Sequence, residues 1–381
     1  MTAGALTRLG ILGGGQLGWM IALEAQRLGL TTCAMDASPK CPAARAADAL
    51  VEGELDDMEA AERLAARCDV VTVETEHVDY RLLQRLEERT RVRPSAKVLE
   101  TVQDRLKERR FLAEHGFPQT RFYELGDDQA CADAAAQAPG ATIVKGRLGG
   151  YDGKGQARAE TPDGIAAAWQ EIGRAPAVLE DVVPFVKEIS VLVARTPDGA
   201  VRVFPVAENE HRDHILHVSI APARISDAVR RRAIDIGVGI AEALDHVGVI
   251  ATEMFVLDDG EVLVNEIAPR VHNSGHYTFG ACVTSQFEQH ARAVCGLPLG
   301  EPRQMTPAVM LNLLGGLWAA GEPDWTRVLA RGPAKLFLYG KTPPRPGRKM
   351  GHVLCLDDTL EQALDTANAL HGELASAAAG Q

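Results

Sequence analysis

From residue 8 to about 90, short apolar runs (RLGIL, TTCAM, DVVTVE) alternate with stretches in which apolar positions return at helical spacing (QLGWMIALEAQRLG, DDMEAAERLAARC, DYRLLQRLEER). Strands interleaved with helices predict a parallel sheet. Next comes DRLKERRFLAEHGFP, an amphipathic helix closed by Gly116 and Pro118. A second unit carries a helix (DDQACADAAAQA), a strand (ATIVK), a glycine-rich loop (GRLGGYDGKG), a short strand (QARA) and another helix (PDGIAAAWQEIG). Beyond about residue 176 the strands lengthen and are joined by hairpin-like turns: PAVLEDVV, KEISVLVAR, AVRVFPVAE, VIATEMFVL and EVLVNEIAP. These predict an antiparallel sheet with the helix DAVRRRAIDIGVGIAEAL packed on it, followed after residue 300 by smaller strands and one terminal helix. The expected units are therefore 1–103, 104–175 and 176–381, a mixture of α/β and α+β, and only the tail ELASAAAGQ reads as expendable.

Composition narrows the function classes. A chain of 381 residues with 46% hydrophobic content can bury a large core. No apolar run has the length of a membrane span, and MTAGALTR lacks a basic start followed by a hydrophobic stretch, so a cytoplasmic protein away from membranes is expected. The seven cysteines form no C-x-x-C pair and read as reduced, mostly buried thiols. A net charge of −12 argues against nucleic acid as a partner, since such binders neutralise phosphates with a broad basic surface. Local basic sites for small anions remain open.

Several short motifs could carry chemistry. In LGILGGGQLGWM, Gly13, Gly15 and Gly18 hold the spacing of a dinucleotide turn, with Asp36 about where a ribose ligand would stand; nicotinamide binding, another phosphate ligand and tight packing are all compatible with it. In VKGRLGGYDGKGQ, Lys145, Arg147 and Lys154 accompany four glycines from Gly149 to Gly155, as in a flap closing over a triphosphate, although the P-loop spacing is missing. In IATEMFVLDDGEVLVNEIAPR, a two-residue turn at Asp259-Gly260 would set Asp258 against Glu261 and Glu253 against Glu266. Two facing carboxylates, on a face shared with Phe255, Leu257, Val262 and Val264, call for a cation between them, and Mg²⁺ with nucleotide phosphates is the natural occupant. The following IAPRVHNSGH offers Arg270, His272, Asn273 and Ser274 as donors to a small planar anion. His272 and His276 lack a third ligand for zinc. Finally, YGKTPPRPGRKMGH gathers Lys341, Arg345, Arg348 and Lys349 in a proline-stiffened loop that could clamp a phosphate monoester.

Taken in order, GGGQLG, VKGRLGGYDGKGQ, PFVKEISVLVAR, FPVAENEH, NEIAPRVHNSGHYT and TSQFEQHARAVCGLPLG closely resemble the N5-carboxyaminoimidazole ribonucleotide synthetases, over about residues 8 to 356. The resemblance implies an ATP-grasp architecture: a Rossmann-like first domain, a small flap-bearing lobe and a larger antiparallel lobe. It also implies ATP-dependent carboxylation of 5-aminoimidazole ribonucleotide by bicarbonate in purine biosynthesis, through carboxyphosphate. On that basis Arg105, Lys145 and the flap Gly149, Gly150, Tyr151, Asp152, Gly153, Lys154 and Gly155 contact the ATP phosphates. Glu180, Asp181, Val182 and Val183 line the adenine, Glu188 takes the ribose, and His211 and Asn265 complete the nucleotide site. Glu253 and Glu266 hold Mg²⁺, or Mn²⁺ in its place. Gln16, Leu17, Glu76, Tyr151, Asp152, Lys341 and Arg348 bind the ribonucleotide, with Asp152, Arg270, His272 and Asn273 at the reacting centre. A homodimer is implied as well. Trp19 stands where the family commonly has arginine, VKGRLGG replaces a more basic run, and His214 stands where glycine is common. Rivals are a formate-dependent transformylase of the same fold, a non-catalytic nucleotide-binding protein and a nicotinamide dehydrogenase.

Overall fold

A computed structural model describes residues 7–150 and 155–379, so the flap positions Tyr151, Asp152, Gly153 and Lys154 lie outside the described residues. Strands β1 (Arg8–Leu12), β2 (Thr31–Asp36), β3 (Ala49–Glu52), β4 (Val70–Val73) and β5 (Arg91–Val92) pair in parallel in the order β3-β2-β1-β4-β5. Helices α1 (Gln16–Arg27), α2 (Met58–Ala65), α3 (Tyr80–Glu87) and α4 (Ala96–Gln103) belong to the same unit. Every residue of β4, and all of β1 after Arg8, is buried, which is why these strands read as continuous apolar runs without alternation. Asp57 and Asp79 start α2 and α3 by accepting from the backbone N–H groups of Ala60 and Arg81.

Helix α5 (Arg105–Glu114), capped by Asp104, leads into β6 (Phe122–Leu125), α6 (Asp128–Gln137), β7 (Thr142–Gly146), β8 (Gln156–Ala159), α7 (Ile165–Glu171) and β9 (Ala177–Asp181). These four strands form one antiparallel sheet in the order β6-β9-β7-β8. Strand β9 thus corrects an expectation. Its segment PAVLEDVV was assigned to the large sheet, yet it lies inside the small one, paired to β6 and β7, beyond the expected limit at 175. A buried apolar strand looks the same from sequence whichever sheet it joins.

The third sheet contains β10 (Lys187–Arg195), β11 (Val201–Val203), β12 (Ala207–Arg212), β13 (Ile215–Ala221), β14 (Gly248–Val256), β15 (Val262–Ala268), β16 (Ala308–Leu314), β17 (Ala334–Leu338) and β18 (Lys349–Leu356). Its order is β15-β14-β10-β12-β13-β16-β18-β17, with β11 paired to β10. The helices of this part are α8 (Asp227–Ala243), α9 (Thr278–Ala281), α10 (Gln286–Cys295), α11 (Thr326–Leu329) and α12 (Leu360–Ala378). Helix α8 covers one face, burying Ala233, Ile236 and Ile240 against Val191, Val193 and Ile250. The tail is not expendable throughout, because Leu374 on α12 is buried with Val309 and Val353, and Glu373 pairs with Arg331. Helix α1 of the first unit packs on α10, where Arg27 pairs with Glu288, and Thr72 Oγ1 lies 2.8 Å from His290 Nε2. No helix among the described residues is long and apolar enough to cross a membrane.

Candidate active site

A cleft of ≈ 1500 Å³ opens between the two antiparallel sheets, and all three parts of the chain line it. Arg105 comes from the start of α5, Lys145, Gly149 and Gly150 from β7 and the flap, and Glu180, Asp181, Val182 and Val183 from the end of β9. Glu188, His211, Glu253, Asn265 and Glu266 rise from β10, β12, β14 and β15. Arg270, His272 and Asn273 follow on the next loop, and Glu76 enters from the first unit. The expected nucleotide positions among the described residues are therefore brought to one cavity, apart from Gly155 at the foot of the flap, whose carbonyl accepts from Gly146 N at 2.9 Å.

Glu253 does face Glu266, but by a different register from the one expected. Leu257 N donates to Glu261 O at 2.9 Å and Val256 pairs with Val262, so the turn takes three residues and Asp258 does not oppose Glu261. Gly260 in that turn has φ +86°, a conformation that favours glycine. The one-residue offset is cancelled by a bulge: Met254 pairs with Val264, Glu253 with Glu266, and Asn265 is left over. Val262 and Val264 consequently turn away from the carboxylates and pack with Met254 and Val256 under α8. The bulge is also what lets adjacent Asn265 and Glu266 both border the cleft.

The bulge is held by Arg109, a residue the sequence reading missed. Its side chain is fully buried, Nη1 donates to Val264 O at 3.3 Å, Nη2 donates to Asn265 O, and Nε lies 3.0 Å from Glu180 Oε1. The signal was present: Arg109 lies on the stripe of Leu106 and Leu112, the apolar face of α5, where a cation is out of place unless paired. Glu180 also receives Lys145 Nζ at 2.6 Å. Burial alone would raise the Glu180 pKa, but Arg109, Lys145 and Arg105 together hold it down at about 2. Neighbouring Glu108 is pushed up to about 7 by burial, with the Glu266 charge adding to the rise, and its carboxyl accepts from Ile267 N at 3.1 Å.

At the carboxylate pair, burial and then the Glu266 charge push Glu253 well above the usual carboxylate range. Such a pair is stable with both members ionised only around a cation, so its donors fit a hard divalent ion. His272 stands by, with Nε2 3.8 Å from Glu253 Oε1 and Nδ1 accepting from Ser274 N at 3.3 Å, 2.8 Å from the Ser274 hydroxyl. Burial and the Arg270 charge keep this imidazole neutral, with a pKa of about 3. Since Nδ1 accepts, the ring proton sits on Nε2, facing the carboxylate. Arg270 is bound through Nε and Nη2 to both oxygens of Glu76. Burial opposes ionisation of Glu76, yet this partner lowers it to about 2. Asn273 exchanges amide hydrogen bonds with Asn312, at 3.2 and 2.7 Å, and Asn312 is a second residue the sequence reading missed. His211 pairs through Nδ1 with Glu188, and His214 adopts φ +63°, the left-handed region that explains why glycine suits that place.

Gln16, Leu17, Lys341 and Arg348 are not among the residues lining the cavity. Gln16 and Leu17 lie between Gly15 and Gly18, whose N–H groups donate to the Glu74 carboxylate at 3.0 Å each, and Lys341 feels the charge of Glu74, while Asp36 accepts from Gly14 N at 3.0 Å. The chain's own carboxylates thus occupy the amides that a dinucleotide phosphate would need, which answers the open reading of the glycine loop against nicotinamide. Burial lowers Lys341 to about 8, against the pull of Glu74. Arg348 Nη1 donates to the carbonyls of Thr342 and Pro343 at 2.8 Å and so shapes the loop that carries both cations.

Comparison with known proteins places this geometry. Residues 6–103 match the ribonucleotide synthetase preATP-grasp domain, 110–287 the ATP-grasp domain, and 308–366 the phosphoribosylaminoimidazole carboxylase C-terminal domain. The N5-carboxyaminoimidazole ribonucleotide synthase of Brucella melitensis is 45% identical over 348 residues, 91% of this chain and 95% of that one. A crystal structure of an N5-carboxyaminoimidazole ribonucleotide synthetase in complex with ADP superposes with a TM-score of 0.91 at 41% identity, covering 97% of this chain and 98% of that one. The Aspergillus clavatus synthase, in complex with ADP and 5-aminoimidazole ribonucleotide, superposes at 0.90 with 33% identity and the same coverage. By these matches in sequence and fold, the chain belongs to the N5-carboxyaminoimidazole ribonucleotide synthase family of ATP-grasp enzymes.

Proposed function

We propose that the protein carboxylates the exocyclic amine of 5-aminoimidazole ribonucleotide with bicarbonate, converting ATP to ADP and phosphate. One observation carries the reading: the cavity that holds the nucleotide residues also ends on Glu253 and Glu266 and on the donor loop of Arg270, His272 and Asn273. Bicarbonate oxygen attacks the γ-phosphorus, the bond to the β-phosphate oxygen breaks, and ADP leaves. The amine then captures the carboxyl carbon, from carboxyphosphate directly or as CO2 released from it, phosphate leaves, and Asp152 of the flap takes the amine proton. A divalent cation, Mg²⁺ or Mn²⁺, held by Glu253 and Glu266 with Asn265 beside them, supplies charge neutralisation for the triphosphate when bound. Lys145 and Arg105 carry positive charge to the phosphates, and Glu180 holds Lys145 in place until the nucleotide arrives. Glu188 takes the ribose, with His211 paired to it in the nucleotide site. By the family resemblance, the flap sequence from Gly149 to Gly155 serves to keep water from the mixed anhydride. Glu76, Gln16, Leu17, Tyr151, Lys341 and Arg348 seat the ribonucleotide, the last two on its 5′-phosphate. The reading carries with it a cytoplasmic homodimer with units 1–103, 104–175 and 176–381, the middle one extended to include β9.

Labelled bicarbonate tests the reaction. ATP-dependent transfer of label into an acid-labile product of 5-aminoimidazole ribonucleotide is expected. Product formation from formate and glycinamide ribonucleotide instead would move the protein to the transformylase reaction.

A further inference from the structure

Trp19 lies in the first turn of α1, separated from the Gln16-Leu17 pair by Gly18. The guanidinium of Arg45, at the end of the short 3-10 turn Pro42–Arg45, stands over its ring with the carbon 5.0 Å from the ring centre. Trp19 and Tyr339 meet edge to face with centres 6.4 Å apart, and Lys341 Nζ lies 5.6 Å from the centre of Tyr339. Arg45, Trp19, Tyr339 and Lys341 therefore form one continuous series of cation, ring, ring and cation. Its centre is fixed, because Tyr339 is fully buried with its hydroxyl 2.8 Å from His352 Nδ1.

A second set of contacts ties Arg45 to the basic loop itself. Nη1 donates to Leu338 O at 3.3 Å and stands 2.8 Å from where a Cβ on Gly340 would be, so Gly340 leaves room for Arg45 beside the position before Lys341. Gly340 also has φ +70°. Among the described residues one of the five guanidinium donors is used, and the others remain for a ligand. Among the described residues, Arg45, Lys341 and Arg348 have no carboxylate within the 4.0 Å of an ion pair. Three such cations at one loop, in a chain of net charge −12, mark a place kept for an anion.

We propose that Arg45 is a third phosphate-binding cation of the ribonucleotide site, aimed by the face of Trp19 and acting with Lys341 and Arg348 on the 5′-phosphate. The inference rests on the reading above that Lys341 and Arg348 take that phosphate. It also accounts for Trp19, which stands where the family commonly has arginine: here the ring supports a cation delivered from another segment. Recognition is of a phosphate monoester and does not extend to the ATP phosphates, whose residues border the separate cavity.

The test has a kinetic and a binding arm. Arg45→Gln is expected to raise KM for 5-aminoimidazole ribonucleotide about tenfold, the loss of one charge-assisted contact, with KM for ATP unmoved and Arg45→Lys restoring part of the loss. In the binding arm, the fluorescence of Trp19, isolated as the difference between wild type and Trp19→Phe, is followed during titration with ribose 5-phosphate and with ribose. A saturable change with the phosphate alone, weakened in Arg45→Gln, supports the assignment even if the ribonucleotide proves not to be turned over, so the two readings fail separately. Unchanged ribonucleotide KM and unchanged ribose 5-phosphate affinity in folded Arg45→Gln would overturn it, as would equal rises in both KM values.

Discussion

At the scale of single residues, the chemistry rests on charges whose state is set by their neighbours. Glu253 is kept from ionising by burial and by Glu266, so in the cation-free protein folding must place a proton there that the unfolded chain does not hold at neutral pH. Its folded pKa is raised, so the cost grows with pH above the ordinary carboxylate value. Glu253→Gln is therefore expected to stabilise the cation-free protein by about 1 kcal/mol, read as a higher melting temperature and more at about pH 8 than at about pH 5, while Mg²⁺ no longer adds stability. A lower melting temperature at both values would contradict the account of the pair. Lys341, lowered to about 8 by burial with Arg348 and Lys349 nearby, loses its charge as pH rises through that value. The ratio kcat/KM for the ribonucleotide is expected to fall above about pH 8, with the ratio for ATP far less affected, and Lys341→Arg should remove the fall. Residue types with spacing were legible in the sequence: the glutamates, Lys145 of β7, the loop histidine. Arg109 showed only as a cation on an apolar stripe and Asn312 not at all, because each acts by holding a backbone or side chain from an element far along the chain.

At the scale of elements, the lesson lies in the β14–β15 hairpin. Strict alternation put the two glutamates opposite each other, and they are, yet a three-residue turn and a bulge at Asn265 had to cancel for that to hold. Alternation sees the apolar pattern and is blind to an extra residue. Strand β9 was misplaced for a different reason, since a buried apolar run does not say which sheet it joins. Another close fit governs the basic loop: a Cβ on Gly315 would stand 2.1 Å from Arg345 O and 2.6 Å from Arg345 N, while Gly315 N donates to Arg348 O at 2.9 Å. Gly315→Ala must push the 345–348 segment away from β16. The expected outcome is a severalfold rise in KM for the ribonucleotide, with KM for ATP kept within about twofold and the melting temperature lowered by only a few degrees. An equal effect on both substrates would show that the loop does not serve the ribonucleotide alone.

At the scale of the whole molecule, the site is completed only where the units meet. Arg270 of the large sheet holds Glu76 of the first unit, and Arg27 and Glu288 join α1 to α10. The Glu76 pKa is depressed to about 2, so the stability from this contact is fully present above about pH 4.5 and lost as pH falls through about 2. Glu76→Gln should accordingly cost most near neutral pH and converge with wild type in acid; a gap that stays constant down to about pH 2 would deny the pair that role. Three successive patterns of strand and helix were enough to read the architecture, since each unit buries its own core. The meeting of units was hidden from local pattern and came only with the third dimension. The central claim is that this meeting point couples ATP cleavage to the ribonucleotide. It is tested most directly by ADP release from MgATP and bicarbonate, with and without 5-aminoimidazole ribonucleotide, in wild type and Glu266→Gln. The account predicts release that depends on the ribonucleotide and falls by about a hundredfold or more in the variant. Release that ignores the ribonucleotide, or survives in the variant, would contradict it.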